Sequence, residues 1–372
     1  MIWKTIVSIL FVAASIVTAS EDAFAQFPLR LSKAQPLYQK DTVTICVMGD
    51  IMMHTAQIEN AHRFGNWYDF TSYFRHMRDH IEGADLAIAN MEFTLAGEPY
   101  TGYPQFSAPD SYAQYLADCG FDIFLAANNH IFDKGSKGAE RTLAKYKELE
   151  TSHGCRYCGL SADMEDRKST YPLIINVKGV SVAIVNFTYG TNLGADMHWP
   201  KVSYMNDRTS LKTAMDKASE ADFTLVLPHW GNEYELTHSQ QQRETALWLV
   251  ENGADMIIGT HPHVVQDCEI IDGVQVVYSL GNAVSNMSAT NTQVGLMVQI
   301  SLVRQANGDI DILPAKFSWL WCSRPGGYSS SYTVLPIEEQ LDSKKNWKGP
   351  WEHDKMLRIY EHVRKSTGIN TL

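Results

Sequence analysis

The stretch Val43-Thr44-Ile45-Cys46-Val47-Met48-Gly49-Asp50 places a carboxylate directly after a short apolar run. Short runs rich in Val, Ile and Leu are typical of buried strands in α/β sheets, and ligands bind outside the carboxyl ends of such strands. Four further runs have the same polarity: Leu86 to Met91 before Glu92, Ile123 to Ala127 before Asn128-Asn129-His130, Thr224 to Pro228 before His229, and Met256 to Thr260 before His261-Pro262-His263. Together these five strand ends predict one rim where carboxylates, imidazoles and an amide assemble a metal centre.

The strands alternate with helical segments from 41 to 305, which is the pattern of an α/β domain. Two apolar runs around Lys178-Gly179 predict a β-hairpin, so we expect mixed sheets. After 305 the composition changes, and we interpret 306–372 as a C-terminal extension packed on the core. Helices are predicted at Ala139 to Glu150, Arg208 to Ser219 and Ser239 to Asn252.

The N-terminus resembles a secretory signal peptide. A mostly apolar stretch, Thr5 to Ser20, precedes the small-residue cleavage signal Ala23-Phe24-Ala25. We therefore interpret 1–25 as a signal peptide and 26–40 as a polar leader, and we predict a periplasmic or secreted protein. A retained anchor is the alternative, but the apolar stretch is short for a membrane span, and no later segment is long and apolar enough.

The formal net charge of −11 argues against nucleic acid or an anionic membrane surface as the partner, because both need a basic face. An anionic substrate remains compatible with this charge if bound metal ions attract it locally. Cys155-Arg156-Tyr157-Cys158 indicates a local disulfide or two independent thiols rather than a redox site. Cys46 is predicted in the core, and a pairing of Cys268 with Cys322 stays open.

Two motifs place histidines directly after strands. In His261-Pro262-His263 the proline fixes φ and stiffens the loop, so both rings can take defined directions; a surface turn with two solvated histidines is the alternative. In Asn128-Asn129-His130 an amide oxygen can bind a hard cation and the histidine can transfer protons, although paired asparagines also mark turns and caps. Asp133 can hold His130 in one tautomer.

The remaining strand ends are ambiguous when each is taken alone. Asp50 is followed by His54 one turn later, and His229 by Glu233 after a turn, while Glu92 fits a solvated strand end. Their joint occurrence favours one shared site. Neighbouring polar and aromatic residues are predicted to bind substrate: Asn128, Trp230, Glu233 and Asn282. Packing is the alternative for Trp230, and a role in supporting the metal ligands is the alternative for Glu233 and Asn282.

The donor types restrict the metal. They are nitrogen and oxygen atoms without a thiolate, which suits Mn, Fe or Zn and disfavours a cysteine-rich structural zinc site. One bridging carboxylate and about six other donors are enough for two divalent transition metal ions. Such a pair can activate water and stabilise a leaving oxygen.

Ordered motifs run from 42 to 285: Gly49-Asp50-Ile51-Met52, Asn90-Met91-Glu92, Ser107-Ala108-Pro109, Ala127-Asn128-Asn129-His130, His229-Trp230-Gly231, Gly259-Thr260-His261-Pro262-His263 and Tyr278-Ser279-Leu280-Gly281-Asn282. Together they resemble the CapA family, which is associated with poly-γ-glutamate capsule synthesis and belongs to the calcineurin-like metallophosphoesterase superfamily. The resemblance implies a four-layer α/β/β/α sandwich with a two-metal site.

The resemblance also implies individual roles. Asp50 and His263 would bind the first metal, His130 would be the general acid, and Glu92 would bridge the metals where the superfamily has an Asp. His54 lies four residues after Asp50, whereas the superfamily spaces these ligands by one residue, so a metal-binding role for His54 stays open. The second metal would be bound by Asn129, His229 and His261.

Two functions are compatible with these observations. The first is a metal-dependent hydrolase that acts on a phosphoester or on an amide bond of an anionic polymer. The alternative is a non-catalytic accessory protein that binds an anionic capsule polymer and helps to export it. In either case the resemblance implies partners in capsule synthesis or export.

Overall fold

The computed structural model describes residues 42–65, 67–193, 198–342 and 344–369. The predicted signal peptide, its cleavage site and the leader lie outside the described residues. Among the helices of the described ranges, none is both long and apolar enough to cross a membrane.

The described residues alternate between strands and helices. The strands are β1 Thr42–Ile51, β2 His62–Arg63, β3 Trp67–Tyr68, β4 Leu86–Met91, β5 Ile123–Leu125, β6 Arg156–Cys158, β7 Leu160–Ser161, β8 Leu173–Val177, β9 Val180–Thr188, β10 Lys201–Val202, β11 Phe223–His229, β12 Met256–Ile258, β13 Cys268–Ile271, β14 Val274–Val277, β15 Asn282–Val284, β16 Val294–Arg304, β17 Ile310–Ile312, β18 Lys316–Ser323 and β19 Thr333–Pro336. The helices are α1 Thr55–Ala61, α2 Arg78–Glu82, α3 Asp110–Asp118, α4 Gly135–His153, α5 Met164–Thr170, α6 Arg208–Ala218, α7 Gln240–Glu251 and α8 Pro350–Thr367. Short 3-10 turns lie at Glu338–Gln340 and Lys344–Asn346.

Two large sheets organise the chain, and both are mixed. The nine-stranded sheet has the order β19-β18-β16-β1-β4-β5-β6, with β15 beside β1 and β17 beside β16. Its β1, β4, β5 and β6 are parallel, whereas β16, β18 and β19 are antiparallel neighbours. The six-stranded sheet has the order β13-β14-β12-β11-β9-β8, and its four central strands are parallel. The prediction of mixed sheets is confirmed.

The two sheets pack face to face. Val43, Ile45 and Val47 of β1 share one buried cluster with Ile184 of β9 and Leu225 of β11. Side chains alternate between the two faces of a strand, so this spacing of two turns every apolar residue of the set towards the other sheet. The core between the sheets is therefore built from the runs that define the strands in the sequence.

Helices cover the two outer faces. Met48 of β1 points away from the intersheet core and packs in a cluster with Leu143 of α4, while Val185 of β9 packs with Leu211 of α6 and Leu249 of α7. Each fully buried leucine stabilises the fold by about 1.5–3 kcal/mol. The layers are thus helices, sheet, sheet and helices, which confirms the predicted α/β/β/α sandwich.

The predicted helices and hairpin are confirmed, with small differences at their ends. Helix α7 begins after a capping box, in which Ser239 Oγ accepts from the Gln242 N–H and Gln242 Oε1 accepts from the Ser239 N–H. It ends at Glu251, just before Asn252-Gly253. The hairpin pairs β8 with β9 around Lys178-Gly179.

The C-terminal segment is integrated into the core. Strands β18 and β19 extend the nine-stranded sheet beyond β16, and Met356, Tyr360 and Val363 of α8 lie in the intersheet cluster. The boundary at 305 stays a prediction. All six cysteines are free thiols; Cys158 is buried, and burial raises the pKa of its thiol to about 11.

Candidate metal centre

The predicted ligands at the strand ends lie close together in the structure. In the parallel register of the nine-stranded sheet, Asp50 at the end of β1 lies beside Asn90 of β4, two residues before Glu92. His229 ends β11 of the other sheet, and Thr260, just before His261, bridges to it. Six of the predicted ligands are at most 4% exposed: Asp50, Glu92, Asn129, His229, His261 and His263.

Two sets of donor atoms form within this cluster. One set joins Glu92, His261 and His263, and the other joins Asp50, Glu92 and His229, with the donor atoms of each set within 4.8 Å of one another. Glu92 belongs to both sets. Its Oε1 lies 3.7 Å from Nε2 of His229 and 3.7 Å from Nε2 of His263. This is the placement expected of a carboxylate shared by two cation sites.

Glu92 is fully buried, and neither of its carboxylate oxygens has a hydrogen-bond partner in the described residues. Burial, reinforced by the nearby Asp50 carboxylate, raises the pKa of Glu92 well above its usual range. A buried carboxylate without a partner is strongly destabilising. Burial of the Glu92 carboxylate therefore lowers the stability of the folded protein, and a bound cation would offset that loss.

His229 is held from both sides. Its Nδ1 lies 3.0 Å from Oγ1 of Thr260 and 3.3 Å from Nδ2 of Asn90, which fixes the ring. Its Nε2 lies 2.9 Å from Oδ1 of Asn129, so an imidazole nitrogen and an amide oxygen converge on one point. Burial, together with the neighbouring His261, lowers the pKa of His229 well below its usual range, which favours the neutral, metal-binding form.

The His261-Pro262-His263 loop has an unusual backbone. His261 has φ of 100° and His263 has φ of 58°, a region that L-residues rarely adopt. Such strain costs about 1–3 kcal/mol per residue and is concentrated at functional sites. Nδ1 of His263 lies 3.0 Å from Oδ1 of Asn282 and 3.3 Å from Oδ2 of Asp50. Two acceptors at Nδ1 place the proton there, so Nε2 presents its lone pair towards Glu92.

Asp50 is positioned by a close approach of two chain segments. Its N–H donates to the Gly281 carbonyl at 3.0 Å, and its Oδ1 accepts from Nδ2 of Asn90 at 2.7 Å. A Cβ on Gly49 would lie 1.9 Å from the same Gly281 oxygen. Only glycine fits at position 49, which explains the Gly-Asp pair at the end of β1.

His130 is part of a separate buried unit beside the ligand sets. Its Nδ1 lies 2.8 Å from Oδ2 of Asp133, and the same oxygen accepts from the Phe106 N–H at 2.7 Å. The Phe106 ring packs edge-on at 4.7 Å from the His130 ring. The carboxylate therefore favours a proton on Nδ1, while Nε2 lies 3.5 Å from Nδ2 of Asn192. The role of His130 in proton transfer stays a prediction.

His54 is not a member of either ligand set. Its Nδ1 lies 3.1 Å from Oε1 of Gln57 and accepts from the Asn286 N–H at 3.3 Å. Burial lowers the pKa of His54 to about 4, so the ring is neutral at physiological pH. Because Nδ1 is engaged in these contacts, only Nε2 of His54 is left to bind a metal ion.

The predicted substrate-binding residues need correction. Trp230 is fully buried in the helix-covered core, and its Nε1 donates to the Tyr278 carbonyl at 3.0 Å, so it cannot line a cleft. Asn128 is also buried; its Nδ2 donates to the Met91 carbonyl and its Oδ1 accepts from the His130 N–H. Its role in the structure is to hold the turn that carries His130.

Asn282 is likewise buried, and it orients the ring of His263. Among the four predicted substrate contacts, Glu233 alone is exposed. Its negative charge contributes to the raised pKa of Glu92 and of Tyr234. Glu233 therefore stays a candidate for substrate contact.

For several residues at the centre, no individual role was predicted from the sequence. Asn90 lies inside an apolar run, and an amide within a buried strand is itself a signal of a polar site. Thr260 precedes the histidine motif, and Asn192 places its Nδ2 3.3 Å from Nδ1 of His130. Tyr189 follows β9, is 39% exposed, and packs its ring 4.5 Å from that of His261, so it forms part of the rim.

Comparison with known proteins identifies the family. The family described as bacterial capsule synthesis protein PGA_cap matches residues 44–287, which is more than half of the chain and contains both ligand sets. The chain belongs to the PGA_cap family. It is 31% identical over 288 residues to the capsule biosynthesis protein CapA of Bacillus anthracis, covering 74% of this chain and 68% of that protein.

A second relative of this PGA_cap chain is the PGA biosynthesis protein CapA of Bacillus subtilis (strain 168), 26% identical over 316 residues, with 82% of this chain and 80% of that protein covered. Among solved structures, the NAD nucleotidase of Haemophilus influenzae is similar at a TM-score of 0.46 and 13% identity, over 87% of this chain and 67% of that chain.

The residues of this PGA_cap chain fit a metal site. Both Glu92 oxygens and Nδ1 of His261 are buried without a hydrogen-bond partner in the described part of the chain. The donors are carboxylate, amide and imidazole groups, which suit divalent transition metals, and each imidazole of His229 and His263 is oriented by a contact on its other nitrogen.

Proposed function

We propose that this chain is an exported, metal-dependent hydrolase of capsule biosynthesis that cleaves a phosphoester or an amide bond of an anionic polymer. The observation that carries the proposal is Glu92, a buried carboxylate shared by two ligand sets and left without a hydrogen-bond partner. The His130–Asp133 pair beside it adds a group able to transfer a proton. The names of the two Bacillus relatives support the assignment to capsule or PGA biosynthesis.

We assign the ligands in two groups around Glu92. Following the family resemblance, Asp50 and His263 would hold one divalent ion, and Asn129, His229 and His261 would hold the other, with Mn, Fe or Zn as candidates. This grouping differs from the two sets of neighbouring donor atoms, in which His263 lies with His261 and Asp50 with His229. When bound, the ions would lower the pKa of a coordinated water and stabilise negative charge on the reacting group.

The protein's own residues perform the remaining tasks. Asp133 fixes the tautomer of His130, so that His130 Nε2 delivers a proton to the leaving oxygen or nitrogen. Asn90 and Thr260 hold His229 in its orientation, and Asn282 does the same for His263. Tyr189, whose ring packs against that of His261, and the exposed Glu233 are the candidates for contacts with substrate.

The test combines metal analysis with hydrolysis. We expect the purified full chain to contain close to two equivalents of a transition metal, and to hydrolyse a generic phosphoester or a glutamyl polymer until it is chelated. His261→Ala should deplete the metal. The matched control is His153→Ala, a histidine in the last turn of α4 outside the site, which should retain both metal and turnover.

Two outcomes separate the alternatives. Absence of metal, together with absence of activity after addition of Mn, Fe or Zn, would contradict the hydrolase. Retention of metal and polymer binding without any turnover would instead support the accessory role in polymer export. For the export itself, we expect the protein recovered from cells to begin at Gln26, as read by mass spectrometry; an intact Met1 in the membrane fraction would contradict the proposed cleavage.

A further inference from the structure

A cavity lined by charged and aromatic residues lies beside the turn that carries His130, because Phe132 of that turn forms part of its wall. It has a volume of about 410 Å³ and opens between α5, β10 and the start of α6. Phe132, Trp199 and Tyr204 supply apolar surface to its wall, and Arg167 and Lys201 supply positive charge. The functions assigned above use none of these five side chains.

The two cations of this cavity have no carboxylate within 4 Å in the described residues. Arg167 donates to Oγ of Ser210 at 2.7 Å and to Oγ of Ser203 at 3.3 Å, while Nζ of Lys201 lies 5.3 Å from the centroid of the Trp199 ring. By contrast, Lys168, next to Arg167 on α5, pairs with a carboxylate. Arg167 also lies over the Tyr171 ring, 4.6 Å from its centroid. Two cations without a carboxylate partner in the described residues therefore line one cavity of a chain that has 42 acidic and 31 basic residues.

One acidic residue also lines the cavity. Asp207 uses Oδ1 to accept from the Ser210 N–H at 3.1 Å and thereby caps α6. Among the ion pairs of the described residues, none joins Asp207 to Arg167 or to Lys201. With two cations and one carboxylate, the cavity keeps a net positive charge.

The cavity is connected to the candidate acid by direct contacts. Phe132 lies in the turn between His130 and Asp133. On the other side, the hydroxyl of Tyr204 lies 3.1 Å from Oγ1 of Thr191, the residue before Asn192, whose amide contacts the His130 ring. The wall of the cavity is therefore linked, through Phe132 on one side and through Tyr204 and Thr191 on the other, to the two segments that contact or carry His130.

We propose that the Arg167–Lys201 cavity binds a carboxylate-bearing unit of an extended polyanion, beside the bond that is cleaved at the metal centre. The planar guanidinium of Arg167 suits a carboxylate, and the aromatic walls suit the short apolar stem that carries it, as in a glutamyl unit. This inference rests on the proposed function for the nature of the polymer, but carboxylate binding itself requires neither metal nor turnover.

The experiment measures binding under conditions in which hydrolysis is blocked. A glutamate hexapeptide is titrated calorimetrically into the full chain in the presence of a chelator. We expect Lys201→Gln and Arg167→Gln each to weaken binding roughly tenfold, the loss expected when one charge-assisted hydrogen bond is removed. Lys168→Gln, on the same helix but paired with Glu165, is the matched control and should bind like the wild type.

Lys201 is exposed, so its substitution tests the proposal even if Arg167→Gln, which also loses two serine contacts, is poorly folded. Unchanged peptide binding by Lys201→Gln would overturn the proposal. It would also be overturned if inorganic phosphate bound at this cavity and the peptide did not. Since the assay excludes metal, failure of the hydrolase proposal leaves its result intact.

Discussion

Replacing Glu92 with Gln separates the stability of the fold from the stability that a bound cation adds. The wild-type carboxylate is fully buried, and neither of its oxygens has a partner in the described residues. Without metal, this uncompensated group costs several kcal/mol. Gln has the same shape and no charge. We therefore expect the chelated variant to be at least as stable as the chelated wild type.

Bound metal should stabilise the wild type more than it stabilises Glu92→Gln. At a free metal concentration of about 100 times Kd, one site stabilises the folded state by about 2.7 kcal/mol. For a chain of 372 residues this corresponds to a rise in Tm of roughly 3–4 °C per site, or about 7 °C for two. Because Glu92 belongs to both ligand sets, Glu92→Gln should lose more than half of that rise.

Calorimetric melting with and without metal measures both quantities. The matched control is Glu352→Gln, which alters another buried glutamate, one that is hydrogen-bonded to the Arg324 N–H and to Gln293. This control should be less stable than the wild type yet show the full metal-dependent shift. The reasoning is refuted if Glu92→Gln retains the full shift, or if its chelated form is clearly less stable than the chelated wild type.

Three further outcomes are expected. His130→Ala should lower turnover about 10²–10⁴-fold with metal content unchanged, as for loss of a general acid; loss of metal by atomic spectroscopy would mean that His130 is a ligand. His54→Gln should retain both metal ions, because His54 is outside the two ligand sets, and loss of one ion would show that its Nε2 binds metal. Asp85→Asn should cost about 1–2 kcal/mol of unfolding free energy in urea at neutral pH, because the Asp85 carboxylate accepts from the N–H and hydroxyl of Thr44 and pairs with Lys178. Burial opposes ionisation of Asp85, but the bonds from Lys178 and Thr44 outweigh it and lower its pKa, so the difference from wild type should hold above the ordinary pKa of about 3.9 and shrink as pH falls through the lowered folded value. Lys178→Gln, which removes only the more exposed partner, should cost less, and a pH-independent difference for Asp85→Asn would contradict this account.

The sequence predicted which residues meet, because the relevant signal is local. Each apolar run ends on its donor, and parallel strands bring their carboxyl ends to one edge. The pairing of Asp50 with Asn90 follows from the β1–β4 register. The strained backbone of His261 and His263 was not predictable, because φ depends on contacts made by the folded loop.

The wrong assignment of Trp230 has a similar origin. A residue just after a strand can point towards solvent or turn back into the core, and sequence spacing alone does not distinguish the two. The contact that decides it, from Nε1 of Trp230 to the Tyr278 carbonyl, joins residues 48 positions apart. The role of the C-terminal segment was incompletely predicted for the same reason, since β18 and β19 find their places only through pairing with β16.

The ligand sets draw on both sheets, and this has a consequence for the lifetime of the folded protein. Asp50 lies at the end of β1 and Glu92 follows β4 in the nine-stranded sheet, whereas His229 ends β11 and His261 comes shortly after β12 in the six-stranded sheet. The sets are complete only after the two sheets have docked. Interactions that form after the folding transition state slow unfolding without speeding folding. A cation bound across this junction would therefore lower the rate of unfolding. The effect would be seen as resistance to proteolysis and heat inactivation and not as faster refolding.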